Sequence, residues 1–320
     1  MTKTNTDCLQ ISLHTSIMGL LQNAIFGLVI GSYIAIAAVG FTLIYGIIGM
    51  INFAYGEYIT TGAFAGFLAA DAFALPLPLA IIAALIVTAI FSLILARLFF
   101  TPLKNAGAVP LLLTSIGLGL FLRNGYRITA GQSARYIAAS PTTFRFKLPD
   151  LAVGSTALLG DFFITTQQLI VIGIAIAVFI AIHLLLTRTT AGIAMRALAD
   201  NENLARVRGI DTRRIRDSVW LLAGALAGIT GVLLAVQTNA SAGIGFSQIL
   251  PIIAAAILGG AGSAYGAIAG AYIIGLVMSL SIALLPANVT ELGTTMAFLV
   301  LIGVLLVRPR GIAGREVRKA

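Results

Sequence analysis

The chain has 320 residues, of which 59% are apolar and only 10% charged, and its formal net charge is +9. An average globular chain carries about 25% charged residues, and 20 basic with 11 acidic side chains cannot cover a water-facing surface of this size. The apolar residues fall into blocks of about twenty with charges between them, the pattern of a polytopic membrane protein, which excludes a soluble enzyme, a disordered chain and a secreted disulfide scaffold.

A polar segment, 1–16, precedes the first apolar run, which is too long for the core of a signal peptide and reads as a retained span. Residues 17–70 hold two spans joined near Asn52, and Asp71 with Pro76 and Pro78 ends the second. A third span, 79–100, stops at Thr101-Pro102, and a weaker fourth runs from 109 to about 129. The interval 130–165 is long and polar, a fifth span covers 166–187, and 188–216 is the most charged segment in the chain. Stretches 218–237, 246–261, 263–285 and 292–307 follow, and a basic tail, 309–320, closes the sequence after Arg308. The predicted architecture is therefore an all-α integral membrane bundle of about eight or nine helices, with residues 17–308 as its transmembrane domain. The runs are continuously apolar rather than alternating, which rules out a β-barrel.

Lysine and arginine bias orients the bundle. Two basic residues lie in 97–104, seven in 188–216 and five from Arg308 onward, and all three regions fall on one side, read as cytoplasmic. The stretch 123–147, with five basic residues and no acid, then lies outside, against the rule, and nine spans put the N-terminus outside too. The positive charge serves topology and anionic headgroups rather than nucleic acid.

The chemistry is sparse. None of Lys3, Lys104, Lys147 and Lys319 follows a glycine, so there is no P-loop, and a lone Cys8 with His14 and His183 far apart offers no metal-ligand spacing. The sequence predicts neither cofactor nor enzymatic activity. Ionisable residues inside the predicted lipid zone are few: Glu57, with Asn52 and Tyr55 beside it, and Asp217 and Glu291 near span ends. A carboxylate within a span costs at least about 2.5 kcal/mol, which leaves Glu57 either on a translocation path or bonded to backbone freed by a break. Gly259, Gly260 and Gly262 make a helix break or a tight turn between two spans. The segment GIAMRALADNENLARVR, 192–208, followed by Gly209, gives short amphipathic helices with Ala197, Leu198, Leu204, Ala205 and Val207 on a small apolar face and Gly209 as a stop, a shape suited to docking in a protein groove.

Residues 203–209, NLARVRG, look like a degenerate form of the coupling loop that importer permeases insert into their ATPase partners. Gly192, Arg196-Ala197, Asn201, Ala205 and Gly209-Ile210 resemble the form found in high-affinity branched-chain amino acid ABC permeases of the LivH type. Tyr45 to Glu57, YGIIGMINFAYGE, is similar to that family's most characteristic segment; Leu258 to Ser263 with Gly266-Ala267 matches its Gly-rich signature, and Arg308 to Ile312 its C-terminal stop. Tyr55 stands where the family usually has histidine, and Asn203 where the coupling loop has its namesake glutamate. The resemblance spans about residues 20–316 and implies an ABC importer permease fold with inverted repeats in a bacterial inner membrane. The partners it implies are a sister permease, two ATP-binding-cassette ATPases and an external solute-binding protein, with ATP hydrolysis in the partners. On that reading Arg196, Asn201, Leu204, Ala205 and Gly209 couple to the ATPase, and branched-chain amino acids are the cargo. A urea or short-amide importer shares the pattern. An ATP-independent transporter or channel is disfavoured by the scarcity of buried charge, and a purely structural subunit by the cost of keeping Asn52, Tyr55 and Glu57 in a passive span.

Overall fold

The computed structural model describes residues 3–131, 133–137, 142–146, 152–153, 156–157, 162–284, 293–308 and 311–313. Glu291, most of the basic tail and much of the 138–161 stretch fall outside these. Among the described residues eleven helices form: α1 Lys3–Ile48, α2 Tyr55–Asp71, α3 Leu77–Leu95 with a π-turn at Ala96–Phe100, α4 Ala108–Ala130, α5 Thr166–Arg188, α6 Thr190–Asp200, α7 Glu202–Val207, α8 Thr212–Gln237, α9 Ile244–Gly259, α10 Ala264–Leu284 and α11 Gly293–Val307. Helix α1 begins at Lys3, so the polar N-terminal segment is helical and continuous with the first span.

Among the described residues six helices are long and apolar enough to cross a membrane: α1, α3, α4, α5, α8 and α10. Helices α2, α9 and α11 have 17, 16 and 15 residues, or about 26, 24 and 23 Å at 1.5 Å per residue, less than a hydrocarbon core of about 30 Å. With these, nine helices lie in the membrane region among the described residues, where the sequence predicts eight or nine, but α2 and α9 do not start at the bilayer edge.

The core centres on α8. Its Gly224 and Gly228 lie against Ser92, Thr88 and Ala84 of α3, while Gly228 and Gly231 lie against Ile59, Gly62 and Ala63 of α2. In lipid no hydrophobic force drives helices together, so small residues that admit backbones to close range supply the packing energy. The same device joins α1 to α10, where Gly27 faces Leu276 and Gly31 faces Tyr272. Helices α4 and α5 keep most of their surface bare; Leu113, Leu120 and Phe121 on one and Ile176, Ile180 and Leu184 on the other are exposed, as suits faces covered by lipid or a partner chain.

The polar 130–165 interval holds the only strands among the described residues. β1 (Thr143–Phe146) pairs antiparallel with β4 (Phe162–Thr165), and β2 (Ala152–Val153) with β3 (Thr156–Ala157). Gln22 of α1 clamps β4 by donating to Phe163 O and accepting from Phe163 N–H, both at 3.1 Å. A capping box between Thr165 and Gln168 then starts α5.

Arg97, the charged segment after α5 and the described residues that follow α11 gather at one end of the bundle. Arg97, after α3, pairs with Asp217 of α8 at 2.7 Å; α6 and α7 lie beside the start of α8; Ile312 N–H and Ala313 N–H bond to Leu258 O and Gly259 O at the end of α9. Arg123 and Arg135, two of the five exceptions to the charge rule, sit toward the other end on aromatic faces, Arg123 3.9 Å from the Phe246 ring centre and Arg135 5.4 Å from that of Phe67.

Candidate functional site

Two breaks shape the interior. Between α1 and α2 the chain opens over residues 49–54, and between α8 and α9 over 238–243. Helix α1 descends to the basic end and α2 climbs from it, whereas α8 climbs and α9 descends, so the two units are inverted copies of one arrangement: a long helix, a six-residue break and a short helix. Their short helices start against each other, with Gly56 and Gly245 in backbone contact. Gly245 N–H donates to Thr60 Oγ at 3.2 Å, and Thr60 Oγ donates to Gly56 O at 3.3 Å. From Gly259, at the basic end, to Gly245 is fourteen residues of helix, or about 21 Å. The crossing therefore lies inside the hydrocarbon zone. Two helix N-termini, each with a partial positive charge, meet there.

The sequence-predicted polar residues are brought to this crossing. Asn52 is wholly buried; its Oδ1 accepts from Ala54 N–H at 3.0 Å, which starts α2, and its Nδ2 has no partner. Tyr55 is also wholly buried, donating to Ala223 O of α8 at 3.3 Å and packing edge-to-face on Phe41 and Tyr58. It is a post of the core rather than a wall of an open path. Glu57 sits in the first turn of α2, 2% exposed, where the helix start favours its negative charge, yet its Oε2 has no hydrogen-bond partner.

Sequence reasoning missed the side chains that α4 adds. Phe53 N–H bonds to Ser115 Oγ at 3.2 Å, Gly119 faces Ala54, and Thr61 Oγ meets Tyr126 OH at 2.6 Å. That parallel register sets Glu57 level with Leu122 and brings Arg123 beside it. Arg123, which the sequence marks only as the end of the fourth span, thus belongs to the interior. The six-residue break at 238–243 was also invisible as a partner of the first, because the match needs the fold.

Gly259, Gly260 and Gly262 form a tight turn between α9 and α10 at the basic end rather than a mid-membrane break. Gly260 and Gly262 have φ of +104° and +93°, Gly259 touches Gly266 across the turn, and the 311–313 segment is stitched to it.

The charged segment folds into an elbow. Thr189 caps α6, and Asn201 ends α6 and caps α7, its Oδ1 accepting from Leu204 N–H at 3.0 Å. Gly209 (φ +81°) closes α7: Gly209 N–H bonds to Arg206 O and Ile210 N–H to Ala205 O, the pairing of a Schellman motif. Glu202 holds Arg206 at 2.8 Å and Arg216 of α8 at 2.5 Å, tying the elbow to the bundle. The apolar face expected from sequence is divided. Leu198 and Ala205 turn inward at 4% and 3% exposure, while Ile193, Leu204 and Val207 face solvent, Val207 at 85%, and Arg196 lies exposed beside them. Asn201→Ala removes the shared cap at a cost of about 1 kcal/mol, so amide exchange over 202–207 should quicken, and Asn201→Asp should restore protection.

The family described as "Branched-chain amino acid transport system / permease component" matches residues 23–307. The chain is similar to the high-affinity branched-chain amino acid transport system permease protein BraD of Pseudomonas aeruginosa, 32% identical over 93% of this chain and 97% of BraD, and to LivH of Escherichia coli, also 32% identical with the same coverage. The probable branched-chain amino acid transport permease protein LivH of Methanocaldococcus jannaschii is 29% identical, covering 91% of this chain and 92% of its own length. A likeness to PsaBC from Streptococcus pneumoniae has a TM-score of 0.45 at 18% identity over 93% of each chain. With a match that reaches from α1 to α11 and takes in both helix breaks and the elbow, the chain belongs to the permease component family of branched-chain amino acid transport systems.

Proposed function

We propose that this chain is a multi-pass permease subunit of an ATP-driven importer in the bacterial inner membrane, carrying branched-chain amino acids. It works with a sister permease, two ATPase subunits and an external binding protein. The observation that carries the reading is the elbow: a capped, ion-paired two-helix unit at the basic end that buries Ala205 and presents Leu204 and Val207 bare. A ligand shifts a conformational equilibrium only through contacts that differ between its states, so nucleotide in a partner must act through a surface of this kind. Arg196, Leu204 and Val207 take the contact, and Asn201, Ala205 and Gly209 hold its shape. Asn52 and Glu57 lie on the translocation path, with Tyr55 supporting its wall, and Gly259, Gly260 and Gly262 form the turn anchoring α9 and α10. BraD and LivH, the relatives, are named for high-affinity branched-chain amino acid transport, which favours leucine-like cargo over urea. In proteoliposomes holding the complete complex, labelled leucine should accumulate with ATP and labelled urea should not. Uptake that persists without the ATPase subunits overturns the assignment.

A further inference from the structure

We propose that Glu57 and Arg123 are the two poles of a zwitterion clamp inside the membrane, Glu57 for the α-ammonium and Arg123 for the α-carboxylate of an amino acid whose side chain lies along Phe246 and Leu250. This deepens the reading above and rests on it.

The observation is an acid and a base that neighbour each other without meeting. Arg123 and Arg127 are within electrostatic reach of Glu57, yet the ion pairs among the described residues are Arg97–Asp217, Arg206–Glu202, Arg214–Asp211 and Arg216–Glu202. Glu57 Oε2 and Arg123 Nε are both buried without a hydrogen-bond partner. A charge away from water is costly unless paired and hydrogen-bonded, and Glu57 is 2% exposed. Here Arg123 is spread over the Phe246 ring at 3.9 Å instead. A group with a cation at one end and an anion one carbon away would satisfy both unpartnered atoms, and a free amino acid has such a group where urea, a simple amine or a simple carboxylic acid lacks it.

The surroundings agree. The α9 start lies beside Phe246, so its partial positive charge reinforces Arg123 for a carboxylate, while the α2 start favours the charged form of Glu57. Gln248 Oε1 and Asn52 Nδ2 are further buried atoms without partners on the same two segments. Phe246 and Leu250, one turn apart on α9, are each 48% exposed and offer an apolar strip. Glu57 marks the closed end of the site and Phe246 its open end. Helix α4, which carries Arg123, packs chiefly on α2 and the π-turn.

The test reads occupancy and transport separately. In the intact complex in nanodiscs, with Cys8→Ser and Leu250→Cys, the alkylation rate of the new thiol is followed with millimolar leucine, with 3-methylbutylamine, and with 4-methylpentanoate. Leucine should slow alkylation and the two single-charge analogues should not. Glu57→Gln or Arg123→Gln should weaken leucine protection by roughly ten- to a hundredfold, the factor carried by one hydrogen bond to a charged group, and Arg123→Lys should regain part of it. Equal protection by all three compounds, or none by leucine in a complex that transports it, overturns the clamp. A complex that carries no leucine at all overturns instead the substrate reading on which the clamp stands.

Discussion

Gly245→Ala is expected to stop uptake and lower the thermal stability of the purified complex, whereas Gly243→Ala, two residues earlier, leaves both near wild type. A Cβ at Gly245 would lie within Gly56 O and only 2.7 Å from Thr60 Oγ, and the first neighbour is backbone that no rotamer can move aside. A Cβ at Gly243 meets nothing within 4 Å. Overpacking a fitted core costs about 1–3 kcal/mol and occasionally more, and a backbone contact of this kind falls at or above the top of that range. Relief requires α2 and α9 to separate, which also breaks the Gly245 N–H to Thr60 bond. Thermal melting followed by size-exclusion fluorescence, together with leucine uptake, measures both parts. A stable, active Gly245→Ala complex would remove the helix-start crossing as a fixed element of the fold.

Val207→Asp should leave the chain folded in the membrane and cost it its ATPase partner. Val207 is 85% exposed on α7, whose buried residue is Ala205, so a change there is felt first by a partner. An aspartate there places a charge where an apolar contact is buried on assembly, and losing a central anchor costs at least about 2 kcal/mol, roughly thirtyfold in affinity. Co-purification of the ATPase subunit and ATP-driven uptake should fall together. Ala205→Glu is the instructive contrast: at 3% exposure this side chain packs inward, so a carboxylate there unseats the elbow and disturbs α7 itself, visible as faster amide exchange over 202–207. Full uptake by Val207→Asp would mean that the solvent-facing side of α7 is not where force enters.

The elements were legible where local chemistry decides them. Continuous apolar runs gave the helices; Asn52 marked the first break because an uncapped polar amide has no place in a span; Gly209 ended α7 because its φ of +81° suits glycine. The basic clusters gave the common side of Arg97, the elbow and the tail. What stayed hidden depends on neighbours distant in sequence. Ala205 and Val207 are equally apolar in a helix of six residues, and only the bundle decides which turns inward. The second break, TNASAG, carries Asn239 and Ser241, but what holds it, backbone bonds between Ala240 and Arg135 in both directions, joins residues a hundred positions apart. Arg123 reads as a topology signal until the register of α4 on α2 sets it beside Glu57. The strands of the 130–165 interval escaped notice because their alternation is only two to four residues long.

Helix α8 touches α1, α2, α3, α6 and α7 along its length, and Glu202 bolts the elbow to its base through Arg216. Such a rod has little freedom to bend, since glycine-spaced neighbours grip it on several sides. If force enters at α7, as proposed, the path open to it runs the 26 residues of α8 to the 238–243 link, and from there into the α9 start that faces Gly56.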